Sequence, residues 1–222
     1  VNYYNNVQNG DFENPIMCTP GKSGASFPFN ANGDEQQYPN GYPGLYWKTT
    51  GPGWQSINGG TKVGHDIEIV NGRNLKVNKE YQEGQFSVTY EEMYKDGTHG
   101  DQFAELNCEN IGALYQDILT TPSSECYWDL DHAGRWNQNT MYVVAMAARD
   151  ARKYMTPEQL NPNNGMSDTF IQKLKAMDNN NKLVNSTGYD EGTEINLKDG
   201  IVARVWKVRS ESVAAGHWEH HK

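Results

Sequence analysis

Several short runs alternate apolar and polar residues with a period of two, the spacing that sends successive side chains to opposite faces of an extended strand. Asp66-Ile67-Glu68-Ile69-Val70 and Phe86-Ser87-Val88-Thr89-Tyr90 read as strands with one wet face. Gln102 to Asn107, Ala113 to Leu119 and Cys126 to His132 follow at separations short enough for antiparallel neighbours. No long helical pattern lies between them to build a parallel crossover, so an antiparallel meander is predicted. Met141 to Ala147 is apolar on both faces, the mark of a central strand, and Ile201 to Val208 repeats the pattern.

Between those last two strands the period changes. Thr156-Pro157-Glu158 predicts a helix start, and Asp168 is placed to cap a second helix of about two turns, in which Phe170, Ile171, Leu174 and Met177 share a face. The polar stretch Asp178 to Lys182 then leads back to Ile195 and the next strand. This helical excursion, at about 150–195, reads as an insertion within one domain covering 1–222. Val1 to Gly64 is dense in turn pairs such as Asn9-Gly10, Asn32-Gly33 and Pro52-Gly53, and is expected to be loop-rich.

Composition supports a mainly β chain: 24 asparagines and 22 glycines for turns, with 13 tyrosines and 6 tryptophans that favour strands. Lysines and arginines number 19 against 28 acids, a formal charge of −9, which opposes a phosphate-tracking role, so no nucleic-acid partner is expected. No apolar run reaches the roughly 18–20 residues that a membrane-spanning helix needs, and the first residues do not read as a signal peptide. Cys18, Cys108 and Cys126 match no zinc spacing and allow at most one disulfide, with Cys108 and Cys126 the pair nearest in sequence.

Asn9-Gly10-Asp11-Phe12-Glu13 resembles the opening of bacterial β-sandwich modules of the galactose-binding-like, carbohydrate-binding class. Trp47-Lys48-Thr49-Thr50, Ile67-Glu68, Gly100 to Asn107 and Leu114-Tyr115-Gln116-Asp117 follow in the order found in those modules. The likeness covers residues 9–135 well and the remainder loosely, the stretch from Arg149 to Ile195 being a departure from it. It implies an antiparallel jelly-roll β-sandwich, secreted or displayed on a cell surface within a longer polypeptide, and often holding a structural calcium ion near the N-terminal strand. Gly216-His217-Trp218-Glu219 looks like the approach to a further strand, so the domain is expected to continue past the end of the chain.

For calcium, Asp11 and Glu13 are the candidate carboxylates; two acids in one turn are too few alone, and the same pair suits an ordinary turn and strand start. Trp136, flanked by Arg135 and Asn137 and near Asp131, combines a flat apolar ring with planar hydrogen-bonding groups, which is what a sugar face and its hydroxyls require. A structural ion pair beside a loop tryptophan fits those residues equally. Tyr42, Tyr46 and Trp54, with Tyr38, lie among glycines and prolines, where rings would be displayed on loops. Trp47 reads as core. Glu105 shares a strand face with Asn107, and Glu68 is comparable: either a sugar-orienting group or a buried hydrogen-bonding one. His217, His220 and His221 suit a frayed terminus, or a metal if the tail were helical. No catalytic motif is present.

The expected function is noncatalytic binding of a glycan or cell-surface polymer, beside neighbouring modules of a longer chain. The alternatives are a structural or adhesive surface segment without a sugar site, and a glycoside hydrolase whose carboxylates are set by spatial separation alone.

Overall fold

The computed structural model describes residues 7–8, 10–12, 26–27, 36–37, 45–48, 54–58, 67–71, 102–106, 111–134, 138–160, 168–211 and 218–222. The described chain is mostly strand in antiparallel sheets with few helices, in agreement with the mainly β expectation. It divides into two compact units, Val1–Leu119 and Thr120–Lys222. Among the described residues no helix is long and apolar enough to cross a membrane.

In the N-terminal unit, β1 (Ser26–Phe27) pairs with β2 (Gln36–Gln37). A three-stranded sheet runs β3 (Leu45–Lys48), β5 (Ile67–Asn71), β6 (Gln102–Glu105). β4 (Gln55–Asn58) pairs with β7 (Gly112–Tyr115), and Ile57 on β4 is buried. The predicted strand Phe86–Tyr90 lies outside the described residues. Among the described residues the meander is not formed: β6 pairs with β5, β7 with β4, and the third run with a strand near the chain's end. Alternation specifies which residues share a face and says nothing of which strand lies alongside; partners come from contacts distant in sequence.

The C-terminal unit is built around one sheet in the order β10 (Thr193–Asn196), β11 (Val202–Ser210), β9 (Asn139–Met146). β11 is central, as expected, whereas among the described residues β9 pairs on one side only, at the edge of this sheet and not at the centre read from its apolar faces. Apolar residues on both faces report that both faces are covered, not that both edges are paired. On one face Tyr142, Val144 and Met146 pack against the core, and on the other Met141 and Val143 stand opposite Val208 and Trp206.

β11 itself changes sides. Ala203 and Val205 are buried on the face that meets the core cluster of Phe170, Leu174, Leu183, Ile195, Leu197 and Ile201. Past Lys207 the buried residues become Val208 and Ser210, whose side chains point to the opposite face because the strand period is two. One strand thus serves a helix-covered core at its start and a polar cluster at its end.

The helices occupy the expected excursion: α1 (Ala148–Tyr154), α2 (Pro157–Leu160) and α3 (Phe170–Asn179). Pro157 opens α2 where a missing N–H costs nothing, and Thr156 Oγ1 accepts from the Gln159 N–H at 3.4 Å. The cap of α3 is Thr169, not Asp168. Gln172 N–H donates to Thr169 Oγ1 at 3.4 Å and Thr169 N–H to Gln172 Oε1 at 3.0 Å, a reciprocal box that needs the hydroxyl three residues before the glutamine. Asp168 instead takes a positive φ of 66° just before it. Phe170, Ile171 and Leu174 are buried and Met177 half-buried, as the spacing predicts.

The run of asparagines after α3 is its terminator. Asn181, at φ 54°, takes the left-handed position; its N–H donates to Asp178 O at 2.9 Å and the Lys182 N–H to Met177 O at 2.9 Å. This paired pattern closes a helix, with asparagine in the place that glycine more often fills. The β10–β11 hairpin turns through Asp199 and Gly200, both at positive φ.

Candidate functional site

β10 stops pairing at Thr193↔Val205, which leaves the same edge of β11 open beyond that point. Residues 185–190 fill it: Asn185 forms a parallel bridge to Lys207, and the Ser186 N–H donates to Lys207 O at 2.8 Å. The loop so anchored carries Tyr189, Asp190 and Gly192 past the side chain of Trp206. The Trp206 Nε1–H donates to Asp190 O at 3.0 Å, and Asp190 Oδ1 accepts the Gly192 N–H at 2.9 Å.

Four rings gather here. Trp128 meets Trp206 edge to face at 5.8 Å, and Tyr127 meets Tyr189 likewise at 5.1 Å and 74°. The tryptophans are half-buried, but Tyr127 and Tyr189 are 54% and 60% exposed. Polar groups rim the exposed pair. The Tyr127 hydroxyl donates to Glu125 Oε2 at 2.7 Å, Lys222 Nζ lies 4.9 Å from the centre of the Tyr189 ring, and the Ser186 hydroxyl donates to Lys222 O at 2.7 Å.

Gly192 is what lets the loop lie on the indole. Its φ is +65°, and a Cβ there would stand 2.6 Å from Trp206 Cε2. Gly192→Ala is expected to cost about 1–2 kcal/mol for the left-handed backbone and about 1–3 kcal/mol for pushing the ring aside. Urea titration checks this, with Gly188→Ala as the control, since nothing lies within 4 Å of a Cβ at Gly188.

A second cluster lies where β8 (Leu130–His132) pairs with β12 (Glu219–His221). The register places Leu130, His132, Glu219 and His221 on one face of this ribbon and Asp131 and His220 on the other. Ser210 Oγ, fully buried, lies 2.8 Å from His132 Nδ1 and 2.7 Å from His221 Nε2. A hydroxyl has one proton, so it donates to one imidazole and accepts from the other, which requires an unprotonated ring nitrogen. Burial and the neighbouring His221 push the His132 pKa down to about 4, against an opposing pull from Glu219. With Ser210 shut away from solvent, the cluster is a fastening and not a nucleophile with its base.

A third polar group joins α3 to the sheet. The Asp178 carboxylate accepts from Lys207 Nζ and, at 2.8 Å, from the Tyr142 hydroxyl. Burial favours the neutral acid, yet these hydrogen bonds, with Lys207 and Arg209 nearby, outweigh it and hold the Asp178 pKa below the usual carboxylate range. The Tyr142 pKa is raised by burial and by its bond to Asp178.

Of the residues nominated from sequence, Tyr42, Arg135, Trp136, Asn137 and Glu13 lie outside the described residues. Tyr46 falls within β3, opposite Ile69, and not in a loop. A strand can run through a turn-rich region wherever four residues escape glycine and proline, as Leu45–Lys48 do. Trp54 is half-buried, with one face of its indole stacked on Phe12 at 5.2 Å. Asp131 is exposed and paired with His220 Nδ1 at 2.9 Å. Trp54 and Tyr46 belong to one unit and Asp131 to the other. The backbone register also sets Trp47, Glu68 and Glu105 in one row across β3, β5 and β6.

Asp11 is exposed in the turn that follows Gly10. Among the described residues no group of three or more His, Cys, Asp or Glu side chains is gathered to hold an ion. The tail is neither helical nor frayed: it forms β12, and His221 is buried. Cys126 is a free, exposed thiol.

Sequence reasoning passed over Tyr127, Tyr189, Trp206 and Lys222. Only Gly188-Tyr189-Asp190, a ring in a turn-forming context like those noted near the N-terminus, offered a signal. One shallow depression of about 390 Å³ lies elsewhere, lined by Arg149, Asp150, Lys153, Asp199, Gly200 and Ile201; its two cations and two acids offset one another. No family model matches the chain, and no curated protein or solved structure is similar to it.

Proposed function

We propose that the chain is a noncatalytic carbohydrate-binding module, a jelly-roll β-sandwich of a secreted or cell-surface protein, whose sugar site is the exposed surface of the contacting rings Tyr127 and Tyr189. The observation that carries this reading is two exposed rings, edge to face at 5.1 Å, beside a lysine ammonium and acidic side chains. A pyranose presents an apolar C–H face that stacks on such a ring, and its hydroxyls exchange water for fixed donors and acceptors. Lys222, Glu125 and Asp190 are the groups at hand. Each hydrogen bond contributes only about 0.5–1.5 kcal/mol net, so a single site binds modestly and gains from repetition along a longer chain.

Glycan-array screening followed by calorimetric titration tests it. Tyr127→Ala and Tyr189→Ala are each expected to weaken binding at least about tenfold, the equivalent of roughly 1.4 kcal/mol, while exposed Val184→Ala leaves it unchanged. Binding lost in Trp54→Ala and retained in both tyrosine variants moves the site to the N-terminal unit. No signal on any glycan leaves the structural or adhesive role, and release of product from a labelled polysaccharide would establish a hydrolase instead.

A further inference from the structure

The Ser210 cluster fastens the C-terminal strand of the chain by a bond pattern that protons can break. In the neutral state one imidazole donates to Ser210 Oγ and the other accepts from it. One added proton is accommodated: the charged ring donates, the hydroxyl turns, and the neutral ring accepts. A second proton is not. Two imidazolium N–H groups then point at one oxygen, the hydroxyl proton has no acceptor, and two like charges share a site that is buried at Ser210 and His221.

We propose that the β8–β12 ribbon is an acid-released strap, held on β11 by the His132–Ser210–His221 cluster, whose single hydroxyl cannot serve two protonated rings. The ribbon is short. It is three residue pairs long, and its two strands lie far apart in sequence, so it does not persist alone in water. Its further ties include the Gly134 N–H to Glu211 O at 2.9 Å, the Glu211 N–H to Glu219 Oε1 at 2.6 Å, the Ser186 hydroxyl to Lys222 O at 2.7 Å, the Asp131–His220 pair, and the edge contact of Trp128 with Trp206.

The charged groups around the two histidines set the direction of the response. On the inner face Glu219 Oε2 is 3.9 Å from His221 Nε2, and this carboxylate pulls the His132 pKa upward. Glu211 follows β11 and is engaged with Gln138 and Glu219, Arg209 is exposed one residue before Ser210, and Lys222 follows β12. Asp131 and His220 pair on the outer face. The docked His132 binds a proton less readily than a free imidazole, the first cause being burial. His132 in the released ribbon therefore takes its proton more tightly, and acid shifts the balance toward release in the interval from pH 6.5 down to about 4.

Release has a consequence at the ring pair. Lys222, the residue after β12, is tied through its carbonyl to Ser186 and lies over Tyr189. When β12 leaves, both contacts go with it. On the carbohydrate reading this makes sugar binding acid-sensitive, although the strap itself does not depend on that reading.

Amide hydrogen exchange by NMR, without any sugar and corrected for intrinsic exchange, tests the strap. Between about pH 7 and about pH 4.5, the amides of Leu130–His132, Glu219–His221, Gly134 and Glu211 are expected to lose at least about tenfold of their protection. Phe170–Asn179 and Ala203–Val208 keep theirs. His220→Gln, on the outer face, responds like the wild type, and His132→Asn with His221→Asn, which cannot take up protons, does not respond. The proposal is overturned if the ribbon amides stay protected at about pH 4.5, if α3 and the middle of β11 lose protection in step with them, or if the double variant docks at neutral pH and still opens in acid. The wild-type profile decides by itself should the double variant fail to dock. A protected ribbon with intact sugar binding removes the strap alone; an opening ribbon with no sugar binding at neutral pH removes the carbohydrate reading alone.

Discussion

Phe170→Ala is expected to lower the stability of the C-terminal unit by about 3–5 kcal/mol. The ring is 2% exposed and sits among Leu174, Leu183, Ile195, Leu197, Ile201, Ala203 and Val205, with Tyr154 tilted against it at 6.4 Å. Neighbours from two strands, two helices and two connections cannot all follow a shrinking side chain, so most of the vacated volume persists as a cavity. The residue is also a backbone junction, since its N–H donates to Gln159 Oε1 of α2 at 2.8 Å, and that bond survives the substitution. The loss is thus one of packing, and urea denaturation followed through tryptophan fluorescence measures it. Val184→Ala, at a residue 76% exposed, is the control and should move the transition by less than about 0.5 kcal/mol.

Asp178→Ala is expected to cost about 2–4 kcal/mol by a different route. Lys207 and Tyr142 share the one carboxylate as acceptor, and the Lys207 and Asp178 side chains are only 15% and 19% exposed. Removing the acid leaves an ammonium and a phenol poorly solvated against the core face of β11. Restoring an apolar partner through Lys207→Met in the same chain should recover part of the loss, and the cycle formed by the two single variants and the double one measures their coupling. The pH dependence has a definite sign. Because folding lowers the Asp178 pKa, its stabilisation is full above the unfolded carboxylate value and is lost as pH falls through the folded one. Tyr142, whose pKa is raised, contributes below the ordinary phenol range and loses its contribution as pH climbs above it. Asp178→Ala should flatten both limbs.

The strands Ile67–Asn71, Gln102–Glu105, Gly112–Tyr115, Asn139–Met146 and Val202–Ser210 and the helices α2 and α3 were legible in the sequence because each depends on local spacing, whereas α1 and the short strands β1 to β4 were not read. The face of α3 followed from residues 170–177 alone. Partners were not legible. β6, β7 and β8 each pair with a strand outside the run of three in which they were read, and nothing local to them records that. The cap of α3 was misplaced by one residue because aspartate and threonine cap equally well in general, and only the glutamine three residues on decides in favour of Thr169. The ring cluster was hidden for a related reason. Tyr127 and Tyr189 lie 62 positions apart and meet only because β10 ends early and residues 185–190 take its edge on β11. His221 was read as tail, since a terminal histidine reveals its burial only when the strand across from it is known.

The most direct test of the carbohydrate reading is to watch the tyrosine rings themselves, by two-dimensional NMR of the aromatic resonances during titration with the glycan that gives the strongest array signal. The account predicts saturable shifts at Tyr127 and Tyr189, smaller ones at Trp128 and Trp206 behind them, and none at Trp54. Shifts confined to other rings, or aromatic signals unmoved by every oligosaccharide offered, would contradict it.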